Sequence, residues 1–281
     1  MIRSWVDLIF RRACLIATLI SVFLLAVLLW HIFKQGHSVL SWNFFQNYPS
    51  RFSAQAGIRS AFYGTIWVMI CTAISVVPLG ILTAVFLEEY MPRKSIFLKI
   101  LKLNISSLAG MPSVVYGLLG LALFVRMSGM GRSIIAGSLT MSLLILPVII
   151  IASTESIRAV PNTLREAALA LGASKWQVIW GQVLPAAMPG IMTGTILALS
   201  RAIGETAPLI MIGALSYVAF IPHSLWDSFT VLPVQIFNWA ARPQPEFHAV
   251  AAGAIIVVLV LLLSLNGLAI IIRQRFQKYR L

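Results

Sequence analysis

The chain has 281 residues, of which 59% are hydrophobic and only 10% charged. A soluble domain is roughly 45–50% apolar and about 25% charged, so this chain has too few charges to cover a water-facing surface and too much apolar area to bury inside itself, which excludes both a soluble globular domain and a disordered one. The charges are also lopsided, 21 Lys and Arg against 8 Asp and Glu, for a net of +13. In a soluble protein that excess would point to nucleic acid, but in an apolar chain its distribution along the sequence matters more than its sum.

Taken in order, the apolar runs at 13–33, 60–87, 103–125, 133–154 and 247–272 are free of charge, and a further stretch at 186–217 carries only Arg201 and Glu205. A membrane helix needs about 20 such residues, so six spans are predicted. The runs are long and lack period-two alternation, which indicates helices and not a barrel. The first run is too long for a secretory h-region and has no small-residue cleavage site, so it reads as a retained span. With the amino terminus inside, fourteen of the basic residues fall in cytoplasmic segments, among them Arg11, Arg12, Lys94, Lys99, Lys102 and Arg165, and six fall outside. That bias places both termini in the cytoplasm. Cys14 and Cys71 lie within apolar runs as small hydrophobes, and the four His residues have no metal-ligand spacing. No Gly precedes a Lys, so a phosphate-cradling nucleotide loop is absent, and any nucleotide hydrolysis that drives this protein belongs to another chain.

Several Pro residues, including Pro112, Pro147, Pro189 and Pro208, fall in or beside spans, where membrane helices accommodate them by bending. Gly190 and Gly194 form a G-x-x-x-G pattern, read either as a site of close helix approach or as coincidence in a Gly-containing run. The first and last outer loops carry Trp42, Phe44, Phe45, Tyr48, Trp226 and Trp239, read as headgroup-level anchors or as a docking surface.

The inner loop at 155–185 carries the most pattern. Thr163 with Glu166 predicts a capping box opening a short helix, which Gly172 ends. Ser174 with Gln177 predicts a second box and a second short helix that stops before Pro185. Leu169, Leu171, Trp176, Val178 and Ile179 then sit on helices in an aqueous loop. They pack either on the protein's own membrane ends or in a groove of a second protein.

In the sixth stretch Arg201 and Glu205 are four apart and share a helix face. Ionised side chains in a span are costly and usually face a cavity or a partner. Two readings follow: a self-satisfied pair joining helices, or an anion site in which the planar guanidinium meets an oxyanion while Glu205 fixes it and tempers its affinity.

Glu166-Ala167-Ala168, then Gly172, then Leu184-Pro185 resembles the E-A-A loop of ABC importer permeases, with Gln182 standing where that pattern has Ile. Arg201-Ala202-Ile203-Gly204-Glu205-Thr206-Ala207-Pro208-Leu209, together with Gly110-Met111-Pro112-Ser113-Val114-Val115-Tyr116-Gly117-Leu118, resembles the phosphate importer permeases of the PstA type. The resemblance implies an all-α polytopic membrane protein of MetI-like fold: a first helix and outer loop over 1–60, the permease domain over 61–273 and a basic tail over 274–281. It implies that Arg201, Glu205 and Thr206 lie on a phosphate path, and that Glu166, Ala167, Ala168, Gly172 and Trp176 seat on a cytoplasmic ATPase. The implied partners are an ATPase dimer holding ATP and Mg, a homologous second permease, a periplasmic or lipid-anchored phosphate-binding protein and the membrane lipid, with no nucleic acid and no enzymatic activity in this chain. Alternatives are a permease for sulfate, molybdate or phosphonate, or an anion channel or secondary transporter independent of ATP.

Overall fold

A computed structural model of the protein describes residues 2–92, 94–214 and 217–278; Arg93 and Arg280, two of the fourteen basic residues counted as cytoplasmic, and Ser216, within the stretch at 186–217, lie outside the described residues. The described chain is helical, and its only bridge outside helices is an isolated antiparallel pair between Ser133 and Ser228. In chain order the helices are α1 (Ile2–Gly36), the short α2 (Trp42–Gln46), α3 (Arg59–Val85), α4 (Ile96–Ala109), α5 (Ser113–Gly120) and α6 (Ile134–Arg158). They continue as α7 (Asn162–Ala170), α8 (Lys175–Val178), α9 (Leu184–Gly204), α10 (Ala207–Met211), α11 (Leu232–Ala240) and α12 (Pro245–Lys278). Five of the described helices are long and apolar enough to cross a membrane, and a sixth crossing is made if α4 and α5 are taken as one span.

That sixth crossing is not one bent helix over 103–125 but two helices. Its two halves, Ile96–Ala109 and Ser113–Met127, meet at 100°. Pro112 cannot donate to the helical ladder and disfavours helical geometry at Met111, so α4 closes with Gly110 and Met111 donating to Ser107 and Leu108 carbonyls, and the chain restarts at Ser113. The stretch at 186–217 is likewise shorter as a helix than its hydropathy indicated. It stops at Gly204, where Glu205 turns extended (φ −77°, ψ 120°), and resumes only as the five-residue α10.

α6 is the centre of the molecule, packed between α3 and α9 and touched by α4, α5 and α10. Lipid tails are as apolar as Leu, so helices in a membrane associate through close packing and interhelical hydrogen bonds. The α3–α6 seam supplies both. Thr72 Oγ1 donates to the Ser138 carbonyl at 3.2 Å, and Ser138 Oγ lies 3.3 Å from the Val68 carbonyl. Across the α6–α9 seam the G-x-x-x-G pattern is a close approach: a Cβ on Gly190 would stand 2.5 Å from Ser156 Oγ, and one on Gly194 would stand 2.2 Å from the Ala152 Cβ. α1 packs on α12 and its apolar length is otherwise open.

The loop aromatics divide. Trp42 and Trp226 are exposed, as a headgroup anchor would be, whereas Phe44 and Trp239 are buried against each other with ring centroids 6.4 Å apart, in a cluster with Ile58 and Phe247. The amphipathic α11 turns its Trp inward, so Trp239 and Phe44 are core residues and not interfacial ones. Next to the Ser133–Ser228 bridge, Asp227 accepts the backbone N–H groups of His223 and Ser224 at 2.8 and 2.9 Å, and these donors hold its carboxyl below the usual carboxylate range.

Candidate functional site

Arg201 occupies the last turn of α9, and its Nε donates to Glu205 Oε1 at 3.2 Å across the helix end. The Arg side chain is 51% exposed and the Glu 19%, so the pair forms no closed internal bridge. Among the described residues no other hydrogen bond reaches the guanidinium, which leaves its two terminal nitrogens open. Thr206, half-buried, follows directly at the start of α10. The break that groups these three has a local cause. A continuing helix would need the Pro208 nitrogen to donate to the Gly204 carbonyl, which proline cannot do, and the residue before a proline resists helical geometry.

The second break lies against the first. Gly117 of α5 meets α10 so closely that a Cβ there would stand 2.7 Å from the Met211 Cβ and 2.8 Å from the Pro208 Cα. Tyr116 is buried at this contact, its hydroxyl donating to the Leu108 carbonyl at 2.7 Å. One hydrogen bond thus braces α5 against the end of α4 across the bend. The two motifs that were separate in sequence, around 110–118 and 200–209, are one structural unit. Hydropathy singles out Arg201 and Glu205 but does not mark Tyr116, because its brace across the bend is set by packing.

At the opposite end of α9 the 155–185 loop is a helical hairpin. α7 begins at Asn162 behind Pro161, with no side-chain cap. The expected Thr163–Glu166 box does not form, because Pro161 takes the cap position two residues earlier and leaves Thr163 inside the first turn. The Gly172 expectation holds: Gly172 has φ +85°, and a Schellman pair closes α7, Gly172 N–H to the Leu169 carbonyl at 2.9 Å and Ala173 N–H to the Ala168 carbonyl at 3.2 Å. The Ser174–Gln177 box is present in both directions. α8, however, does not stop before Pro185. It passes through a π turn at Ile179–Val183 into α9, so that one apolar helix runs from Lys175 to Gly204. In that turn Leu184 N–H reaches back five residues to the Ile179 carbonyl, shifting the ladder just where Pro185 has no donor to give.

The hairpin has an inward and an outward face. Val178 and Ile179 are buried with Ile157, Val160 and Val183, while Ala168 is half-buried. Glu166, Ala167, Leu169, Leu171, Gly172 and Trp176 are exposed, and the Trp176 ring leans on Trp180 with centroids 5.2 Å apart. Leu169, Leu171, Trp176 and Trp180 thus make an exposed apolar patch on the side of the hairpin turned away from its core.

Residues 76–278 match the family model described as binding-protein-dependent transport system inner membrane component. A Bacillus subtilis protein named as the probable ABC transporter permease YqgI is 33% identical over 250 residues, covering 84% of each chain. The phosphate transport system permease PstA of Haemophilus influenzae is 33% identical over 252 residues, covering 88% of this chain and 86% of its own. PstA of Mycobacterium leprae is 35% identical over 219 residues, 78% of this chain and 70% of its own. Among solved structures, a chain of a bacterial alginate ABC transporter superimposes with a TM-score of 0.65 at 18% identity, covering 95% of this chain and 93% of that one, and a chain of the MetNI methionine ABC transporter with 0.60 at 14%, covering 78% and 95%. The fold is therefore the MetI-like one, and the chain belongs to the family of binding-protein-dependent transport system inner membrane components as a multi-pass ABC transporter permease.

Proposed function

We propose that this chain is one of two membrane subunits of an ATP-driven importer that carries inorganic phosphate inward across a prokaryotic inner membrane. In this reading both termini and the 155–185 hairpin face the cytoplasm, and the chain divides into a first helix and outer loop at 1–60, a permease domain at 61–273 and a basic tail from 274. The hairpin, through Glu166, Ala167, Ala168, Gly172 and Trp176, seats on a partner ATPase that holds ATP and Mg and performs the hydrolysis. A homologous permease completes the path, and a periplasmic or lipid-anchored phosphate-binding protein delivers the anion from outside.

The observation that supports it most is the unbroken helix from the hairpin to the charged pair. The helix from Lys175, beside the exposed Trp176, to Gly204 at the far end of α9 is 30 residues long, about 45 Å at 1.5 Å per residue. A push on the hairpin is thereby delivered to Arg201 by a stiff rod clamped to α6 at Gly190 and Gly194. At that end the guanidinium offers its open nitrogens to phosphate oxygens as a planar fork. Glu205 holds the Nε side and offsets part of the positive charge, so the anion binds without being trapped. The 51% exposure of Arg201 accords with a path shared with a second subunit. The similarity to PstA permeases supports phosphate as the anion.

Anion competition tests the choice of substrate. Cells dependent on this system for labelled phosphate should lose uptake when unlabelled phosphate is added in excess, and keep it with sulfate, molybdate or phosphonate. Competition by one of those anions equal to that by phosphate would reassign the substrate.

A further inference from the structure

The end of α3 holds two neighbouring carboxylates with no part in the reading so far. Past Val85 the helix widens into a π turn, Phe86–Tyr90, that carries Glu88 and Glu89. Their side chains are only 7% and 11% exposed, and buried carboxylates persist only when paired. Each is paired with a different part of the fold. Glu89 Oε1 accepts from Arg165 Nε and Nη2 at 3.0 and 2.9 Å, which ties it to α7. Arg165 is itself only 14% exposed and donates further to the Val160 and Ile157 carbonyls at 2.6 and 2.9 Å. Glu88 Oε1 accepts from Lys102 Nζ of α4 at 2.5 Å and from Arg158 Nη2 at the end of α6 at 2.8 Å. Beyond Lys102, α4 leads to Leu108, whose carbonyl receives the Tyr116 hydroxyl of α5, and α5 packs at Gly117 on Pro208 and Met211 of α10, just past the break that follows Arg201.

We propose that Glu88 and Glu89 form a joint that passes hairpin movement from α7 through the end of α3 to α4, and so to the bent helix flanking the Arg201 site. The proposal rests on the transport reading above and deepens it. α9 carries movement of the hairpin to one break of the site, and the carboxylate pair carries it to the other. The two breaks then move together and the anion is neither released early nor left clamped. The chain of contacts is continuous, and both carboxylates are too buried for the near-zero worth of solvated surface pairs.

The test uses the whole complex, with its ATPase and second permease, in vesicles, measuring labelled phosphate taken up per ATP hydrolysed. Glu88→Gln and Glu89→Gln keep shape and remove charge. Both variants should assemble with the ATPase in wild-type amounts and hydrolyse ATP, with uptake per ATP reduced about tenfold. Because the two pairs act in series, the double variant should be no worse than the more severe single one. An unchanged ratio in both single variants overturns the joint, and so does a loss of uptake that merely tracks loss of assembled complex. A wild-type complex that shows no ATP-dependent uptake overturns the transport reading and the joint together, which separates the two failures.

Discussion

Replacing Arg201 by Ala should abolish phosphate uptake while leaving the permease in the membrane and bound to its partners. The side chain is half-exposed at the end of α9 and makes one hydrogen bond, to Glu205, so its removal costs the fold little. For an oxyanion the loss is large: charge-assisted hydrogen bonds are worth about 1.5–3 kcal/mol each, so losing a two-pronged contact reduces uptake by more than about a hundredfold. Arg201→Lys keeps the charge but not the fork and should fall between the two. Initial uptake rates at limiting phosphate, set beside co-purification of the complex, measure both parts. Normal uptake by the Ala variant would overturn the assignment of Arg201 to the anion path.

The second large effect is expected at Gly172. Its φ of +85° is a conformation that side chains with a Cβ adopt at a cost of about 1–2 kcal/mol. Space is not the obstacle, since no atom lies within 4 Å of where a Cβ would stand. A Val there should reopen the Schellman closure and displace Leu171 and Trp176 relative to α7, while the buried anchor of Val178, Ile179 and Val183 keeps the hairpin attached. The predicted result is ATP hydrolysis that continues while uptake falls about tenfold or more, read as phosphate moved per ATP in the purified complex. Glu166→Lys, on the same exposed surface, should weaken coupling in the same direction. An unchanged ratio in both variants would argue against this surface as the ATPase seat.

What could be read from the chain alone divides along physical lines. The spans were legible because about 20 apolar residues in a row mean the same thing wherever they fold. The Ser174–Gln177 box and the Gly172 stop were legible because their partners lie within a few residues. Hydropathy could not show a 100° bend at Pro112, since the sequence remains apolar on both sides of it. Thr163 and Glu166 had the spacing of a box, but spacing does not reveal that Pro161 opens the helix first. Trp239 and Phe44 have the composition of interfacial anchors and are buried because α11 and α2 meet the same end of α3 and α12.

At the site, the charged pair stood out because α9 is otherwise uncharged and four residues separate the two groups. Tyr116 and Pro208, 92 positions apart in the sequence, share the site only through packing. The acidic pair Glu88-Glu89 did carry a signal, being two of only 8 acids placed side by side at the end of a span. Its meaning depends on Lys102, Arg158 and Arg165, between 14 and 76 residues away. Pairings of that range are set by the fold.

The most direct test of the central claim is labelled-phosphate uptake into vesicles that contain the purified complex, with the binding protein outside and ATP either enclosed or withheld. The account predicts that uptake requires enclosed ATP and the binding protein. Phosphate flux of equal size without ATP would contradict it and identify a channel or secondary transporter instead.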